Sequence, residues 1–209
     1  RTFPKFLNRE DDQNEQVMNA FLKFAKVPVV SLESATLHPL QSLADVITMT
    51  EQFKEKRKPK VVLTWAPHIK AIPHCVGNSF AEWVNAWGKA DFVVAQPKGY
   101  ELDRKYTGKA EITHDQKSAL EGADFVYVKN WSSYERYGEV LGEYPEWMLT
   151  EKSFEAAHNK TAKVMHCLPL RRNVELSDEI LDGPRSILTP LAQNRVWSAQ
   201  AVLSEVLRG

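Results

Sequence analysis

The segment ADFVYVKN (residues 123–130) decides how the rest of the chain is read. From Phe125 to Val128 it is apolar or aromatic at every position instead of alternating. That is the pattern of a strand buried on both faces of a parallel sheet. It then closes on Lys129, and an ammonium at the end of so apolar a strand needs a partner or a ligand. Working outward, apolar runs recur at KVPVVSL (26–32), KVVLTWA (60–66), DFVVAQ (91–96), AKVMHC (162–167) and RSIL (185–188), and each reads as a strand.

Helical segments lie between these runs. DDQNEQVMNAFLKFA (11–25) opens with acids and sets Val17, Phe21 and Phe24 on one face. HPLQSLADVITMTEQFKEK (38–56) has Pro39 in its first turn, Leu40, Leu43, Val46 and Ile47 at helical spacing, and lysines at its end, which suits the helix dipole. CVGNSFAEWVNAWGK (75–89), THDQKSALEGA (113–123) and TPLAQNRVWSAQAVLSEVLR (189–208) complete the series. Strands alternating with helices predict an α/β fold: a doubly wound, mainly parallel sheet with helices on both faces. The charged, proline-containing EQFKEKRKPK (51–60) is the best hinge or linker.

Composition narrows the function classes. Lys plus Arg and Asp plus Glu both number 27 among 209 residues, so nothing in the charge balance points to a nucleic acid or an anionic membrane. No apolar run approaches ~18 residues, so no membrane-spanning helix is expected. The two cysteines, Cys75 and Cys167, lie far apart without metal-ligand spacing, which argues against a disulfide scaffold and for a reducing, cytoplasmic compartment. The opening RTFPKF carries neither an initiator methionine nor a leader, and the chain is expected to be cut from something longer.

Ligands of doubly wound sheets gather outside the C-terminal ends of the strands. Those ends here are SLESATLHPLQ, TWAPHIK, VKNW and HCLPLRR, and all are polar. His38 and Gln41 stand three residues apart on one helix face beside free N-terminal N–H groups, suited to an anionic or carbonyl-bearing ligand, although His38 alone reads first as an ordinary helix entry. Cys167, beside His166 and near Arg171 and Arg172, would favour its thiolate, where a lone buried cysteine is inert. Trp65, Trp131 and Tyr127 read as packing.

Together HPLQ (38–41), ADFVYVKNW (123–131) and HCLPLRRN (166–173) resemble the transcarbamylase family, and within it the branch acting on N-acylated ornithines. The resemblance implies that residues 1–50 are the C-terminal remnant of a carbamoyl-phosphate domain with the interdomain helix. Residues 51–188 form the N-acylornithine-binding domain, and 189–209 a helix returning to the first domain. The family's Ser-Thr-Arg-Thr phosphate loop does not occur in the chain. The implied reaction carries a carbamoyl group from carbamoyl phosphate to the side-chain amine of N-succinyl- or N-acetyl-L-ornithine, in arginine biosynthesis, without cofactor or metal. The implied assembly is a cytoplasmic homotrimer in which each active site borrows a loop from a neighbour. Ornithine carbamoyltransferase is the alternative reading, as is a catalytically incomplete amino-acid-binding fragment.

The resemblance also implies roles. Arg1, His38 and Arg195 address the carbonyl and phosphate oxygens. Gln41 accepts from the carbamoyl nitrogen. Backbone carbonyls around Cys167 and Leu168, turned by a cis Leu168–Pro169 bond, face that nitrogen and the attacking amine. Glu33, His68, Lys129 and Arg171 receive the amino-acid substrate. Relatives acting on free ornithine carry an aspartate at the Lys129 position followed by Ser-Met-Gly, whereas WSSYER (131–136) follows here. N-acylation removes the substrate's α-ammonium and leaves a carboxylate, so a cation replaces an acid. TPLAQNR (189–195) departs from the acid-rich approach usual before the final Asn-Arg. Glu175 stands where some relatives place a modified lysine; it either supplies that negative charge or caps a helix.

Overall fold

The computed structural model describes residues 1–208. Its centre is a five-stranded sheet in the order β3-β2-β1-β4-β5, parallel at every pairing. The strands are β1 (Lys60–Trp65), β2 (Asp91–Ala95), β3 (Glu111–Thr113), β4 (Phe125–Lys129) and β5 (Lys163–Met165). All five residues of β4 are buried, as continuous apolarity requires of a strand covered on both faces.

The helices are α1 (Arg9–Gln13), α2 (Gln16–Phe24), α3 (Pro39–Gln52), α4 (Cys75–Trp87), α5 (Arg104–Thr107), α6 (Gln116–Leu120), α7 (Glu151–Ala156), α8 (Asp178–Asp182) and α9 (Leu188–Arg208). From β1 the chain steps outward through α4 to β2 and α5 to β3, then returns through α6 to β4 and steps the other way through α7 to β5. Right-handed crossovers therefore put α4 and α5 on one face and α6 and α7 on the other. Packing agrees: α4 meets α5, α6 meets α7, and α3 lies between α4 and α9. The doubly wound fold expected from the strand pattern is the one observed.

Several expectations need correction. KVPVVSL (26–32) is not a strand: Pro28 lacks a donor, and Val27, Val29 and Leu32 are exposed. RSIL (185–188) makes one parallel bridge, Ser186 to Val164, before α9 begins at Leu188, too short a run for a ladder. The helix expected over 11–25 is two, broken where Glu15 adopts φ +52°. The Glu15 carboxylate explains the break, since it accepts from the Thr36 N–H (2.8 Å) and the Ser34 and Thr36 hydroxyls (2.5 Å each). The face of α2 carrying Phe21 and Phe24 is exposed.

Candidate active site

The strand order reverses between β1 and β4, and a doubly wound sheet opens its ligand crevice at such a point. Trp65 ends β1 directly opposite Lys129 at the end of β4, and the Ala66 N–H closes on the Lys129 carbonyl (3.1 Å). Trp65 and Trp131 are structural here: each indole N–H donates to a backbone carbonyl, of Trp131 and Tyr100 respectively. Above these ends lies a crevice of about 520 Å³, a size suited to small-molecule ligands.

Nine of the ten residues expected at the site line this crevice: Arg1, Glu33, His38, His68 and Lys129, with Cys167, Leu168, Arg171 and Arg195. Gln41 does not. It is buried one turn behind His38, with its Nε2 donating to Asp45 Oδ1 at 2.9 Å. The lining holds four obligate cations (Arg1, Lys129, Arg171, Arg195) against one carboxylate, Glu33, so the crevice is built for anions.

Each element has a local reason for its position. Pro39 occupies the first turn of α3, leaving His38 as the preceding residue. The His38 side chain makes no capping bond, so the plain helix-entry reading fails; its N–H donates to Ser79 Oγ of α4 at 2.7 Å. Helix α9 is bound along α3 by Asn194 Nδ2, donating to Thr48 Oγ1 (3.0 Å) and Glu51 Oε2 (2.7 Å), and by the Ser198 hydroxyl, donating to the Leu40 carbonyl (2.6 Å). This brings Arg195 over His38, despite the unusual approach sequence. The N-terminal segment joins through the Thr2 N–H, which donates to the Glu33 carbonyl at 2.8 Å. Glu33 Oε2 then stands 3.7 Å from both Arg1 Nη1 and His38 Nε2, with its Oε1 3.6 Å from Cys75 Sγ.

Electrostatics separates the ionisable groups. Burial, reinforced by Arg195, Arg1 and Lys129, lowers the His38 pKa to about 4, so its imidazole is neutral near pH 7. Lys129 is only 7% exposed, and among the described residues no side chain pairs with its ammonium. Burial opposes its charge, while the carboxylates of Glu175 and Glu33 favour it. Cys167 reverses an expectation. Burial pushes the thiol up, with the Glu175 carboxylate adding to the effect, and the pull from Lys129 does not compensate, so the thiol stays protonated.

The loop after β5 is held by a buried relay. The Leu168 N–H donates to His166 Nδ1 (3.0 Å), which leaves the proton of a neutral ring on Nε2, facing Glu175 Oε1 at 3.2 Å. Glu175 Oε2 accepts the Arg171 N–H at 2.9 Å. Burial opposes ionisation of Glu175, but His166, Lys129 and the Arg171 N–H outweigh it and hold the carboxyl below its usual range. Glu175 is therefore an ionised anchor beneath the loop and caps no helix; Ser177 is the residue before α8. The Leu168–Pro169 bond is cis, as expected, and Leu168 has φ +49°. Arg172 turns away to pair with Asp178 and Asp182 at the surface.

Sequence reasoning missed Asp45, which stands one turn after Gln41 in a helix that reads as half solvated, and Tyr127, taken as packing alone. Asp45 has no exposed surface, a rare state for an acid that pairs with no cation. The signal available was the i, i+4 spacing of Gln41 and Asp45.

The sheet, its switch point and the cationic crevice define a doubly wound α/β ligand-binding domain. The family profile described as "Aspartate/ornithine carbamoyltransferase, Asp/Orn binding domain" matches residues 74–206. The chain is 47% identical to N-succinylornithine carbamoyltransferase of Bacteroides fragilis (strain 638R), over 99% of its own length and 64% of that protein's. It is 32% identical to N-acetylornithine carbamoyltransferase of Xanthomonas axonopodis pv. citri, over 98% of the chain and 64% of that protein. A crystal structure of N-acetyl-L-ornithine transcarbamylase superposes with TM-score 0.88 at 32% identity, covering 99% of this chain and 68% of that one. The chain belongs to the aspartate/ornithine carbamoyltransferase family, an enzyme family, and spans just under two thirds of the length of the curated relatives it matches.

Proposed function

We propose that the protein transfers the carbamoyl group of carbamoyl phosphate to the side-chain amine of an N-acylated L-ornithine, N-succinyl or N-acetyl, releasing phosphate and the N-acylcitrulline. The observation that carries this reading is Lys129, a buried ammonium unpaired among the described residues and opening onto a crevice that also holds Arg171 and His68. Free ornithine would bring its own α-ammonium to this spot and be repelled. An N-acylated ornithine brings only negative charge at that end. Relatives support the class: one crystal structure of N-acetyl-L-ornithine transcarbamylase holds carbamyl phosphate and N-succinyl-L-norvaline.

In the reaction the amine nitrogen attacks the carbamoyl carbon, a C–N bond forms, and the C–O bond to phosphate breaks. The attacking amine, whose free pKa is ~10, gives one proton to solvent before attack and a second to the departing phosphate as the C–N bond forms. A neutral His38 donates a hydrogen bond to the carbonyl oxygen as it becomes an oxyanion. Its low pKa keeps it from titrating across neutral pH. Arg1 and Arg195 neutralise the departing phosphate. The relay Glu175–His166–Leu168 holds the backbone carbonyls of Cys167 and Leu168 toward the carbamoyl and attacking nitrogens. Because Cys167 is protonated, it contributes no charge to this step.

The test is a substrate panel on the native protein with carbamoyl phosphate as donor. Acylated ornithines should exceed free ornithine in kcat/KM by about a hundredfold or more. A preference for free ornithine would replace this reading with ornithine carbamoyltransferase.

A further inference from the structure

Buried polar atoms without partners concentrate behind His38. Among the described residues, Gln41 Oε1, Asp45 Oδ2 and the Tyr127 hydroxyl all lack a hydrogen bond. Buried polar groups are normally satisfied, so such a cluster beside a ligand crevice calls for an explanation. The atoms are arranged in sequence. Gln41 Nε2 donates to Asp45 Oδ1 at 2.9 Å. The Tyr127 hydroxyl lies against both Asp45 and Cys167 without reaching hydrogen-bond geometry to either. Tyr127 and Lys129 stand two apart on β4 and so face the same side of the sheet, towards α3.

We infer that Asp45 is a positioning residue: by holding the Gln41 NH2 it leaves the Gln41 carbonyl, buried behind His38 and without a partner, as the end free to meet the donor substrate, and so lets the site tell a carbamoyl phosphate from an acyl phosphate that lacks an amide N–H. The inference rests on the proposed reaction and deepens it. A glutamine amide is nearly symmetric in shape and can present either end. An acceptor presented to the ligand selects NH2, whereas an NH2 presented would select nothing in a carbamoyl group over an acetyl group. Something must break the symmetry, and Asp45 is the side chain bonded to Gln41.

Tyr127 completes the device. Burial pushes the Asp45 carboxyl well above the usual carboxylate range, which favours its protonated form. A protonated carboxyl could donate to Gln41 and flip it. With the Gln41 NH2 on Oδ1, the proton belongs on Oδ2, and the Tyr127 hydroxyl is the acceptor beside it, with Cys167 Sγ beyond. With Asp45 protonated the relay would run one way, from the Gln41 N–H to Asp45 Oδ1 and, once the two side chains close to hydrogen-bond distance, from the Asp45 O–H to Tyr127. An anionic Asp45 would hold Gln41 in the same sense, since it could only accept.

The experiment measures binding of carbamoyl phosphate and of acetyl phosphate to the native protein and to Asp45→Leu, Asp45→Asn and Tyr127→Phe. The native protein should prefer carbamoyl phosphate. Asp45→Leu, close in shape but without an acceptor, should lower the ratio of the two affinities about tenfold while acetyl phosphate binding stays within about threefold. Asp45→Asn keeps an oxygen for Gln41 and an N–H for Tyr127, and should retain the preference. Tyr127→Phe preserves the packing, so it keeps the idea testable if Asp45→Leu fails to fold; it should lower the ratio in the same direction. An unchanged ratio in every folded variant overturns the inference and leaves the proposed reaction intact, as does a parallel fall in both affinities, the mark of a structural role. A native protein that binds neither phosphate overturns both.

Discussion

Replacing Lys129 with methionine removes a charge while keeping an unbranched stem of similar length in the strand-end pocket. Only 7% of the residue is exposed, and its ammonium has no protein partner among the described residues. A ligand carboxylate ~4 Å away at an effective dielectric of ~20 would interact by ~4 kcal/mol. Part of that is offset by desolvating the carboxylate, and truncating one member of a buried charged pair loses 2–5 kcal/mol in general. About 3 kcal/mol corresponds to a 100- to 200-fold loss. Steady-state kinetics and calorimetry on Lys129→Met should therefore give an N-acylornithine KM raised by about two orders of magnitude. Carbamoyl phosphate affinity should change by less than about threefold, because the site proposed for that ligand is formed by Arg1, His38 and Arg195 instead. Equal losses on both ligands, or an unchanged N-acylornithine KM, would refute the role assigned to the ammonium.

Other consequences can be checked separately. His38→Ala should lower kcat by about 10²- to 10³-fold; an unchanged turnover number would remove His38 from the oxyanion. Cys167, with its thiol pushed up by burial, should react with iodoacetamide at pH 7.5 more slowly than a free cysteine peptide, and equal rates would contradict the protonated thiol. His74 stacks on Tyr134 with ring centroids 4.0 Å apart, and burial lowers its pKa to about 4, so the folded state resists its protonation. The unfolded chain takes up that proton near pH 6.5, so stability is intact above that pH and is lost as pH falls towards 4, by up to ~3 kcal/mol. His74→Phe keeps the stack and should flatten the loss; denaturation midpoints falling equally steeply between pH 6.5 and 4 in both proteins would contradict this.

The fold was legible where burial is total. β1 and β4 are covered on both faces, so their apolarity is unbroken and their limits could be read within a residue or two. β3 escaped notice because Glu111–Thr113 is a three-residue edge strand with no fully buried position. KVPVVSL misled for the opposite reason: it is apolar, but on the exposed part of the chain. The crevice was legible because parallel sheets bring strand ends to one side, so His38, Lys129 and Cys167, each in a different part of the sequence, could be grouped before any geometry was known. What lay beyond reach was the layer behind them. Whether Asp45 is a solvated acid or a fully buried one depends on how α9 and β4 close over α3. The state of Cys167 depends on burial outweighing a neighbouring ammonium, a balance of magnitudes that spacing does not reveal.

The central claim is that Lys129 receives the carboxylate of an N-acylated amino acid. A crystal structure of the native protein with carbamoyl phosphate and N-succinyl-L-norvaline tests it most directly. The predicted result is a ligand carboxylate oxygen about 2.7–3.2 Å from Lys129 Nζ, inside the crevice with His38 and Cys167. A bound ligand whose carboxylates all lie elsewhere, with Nζ left bare or facing bulk water, would contradict it.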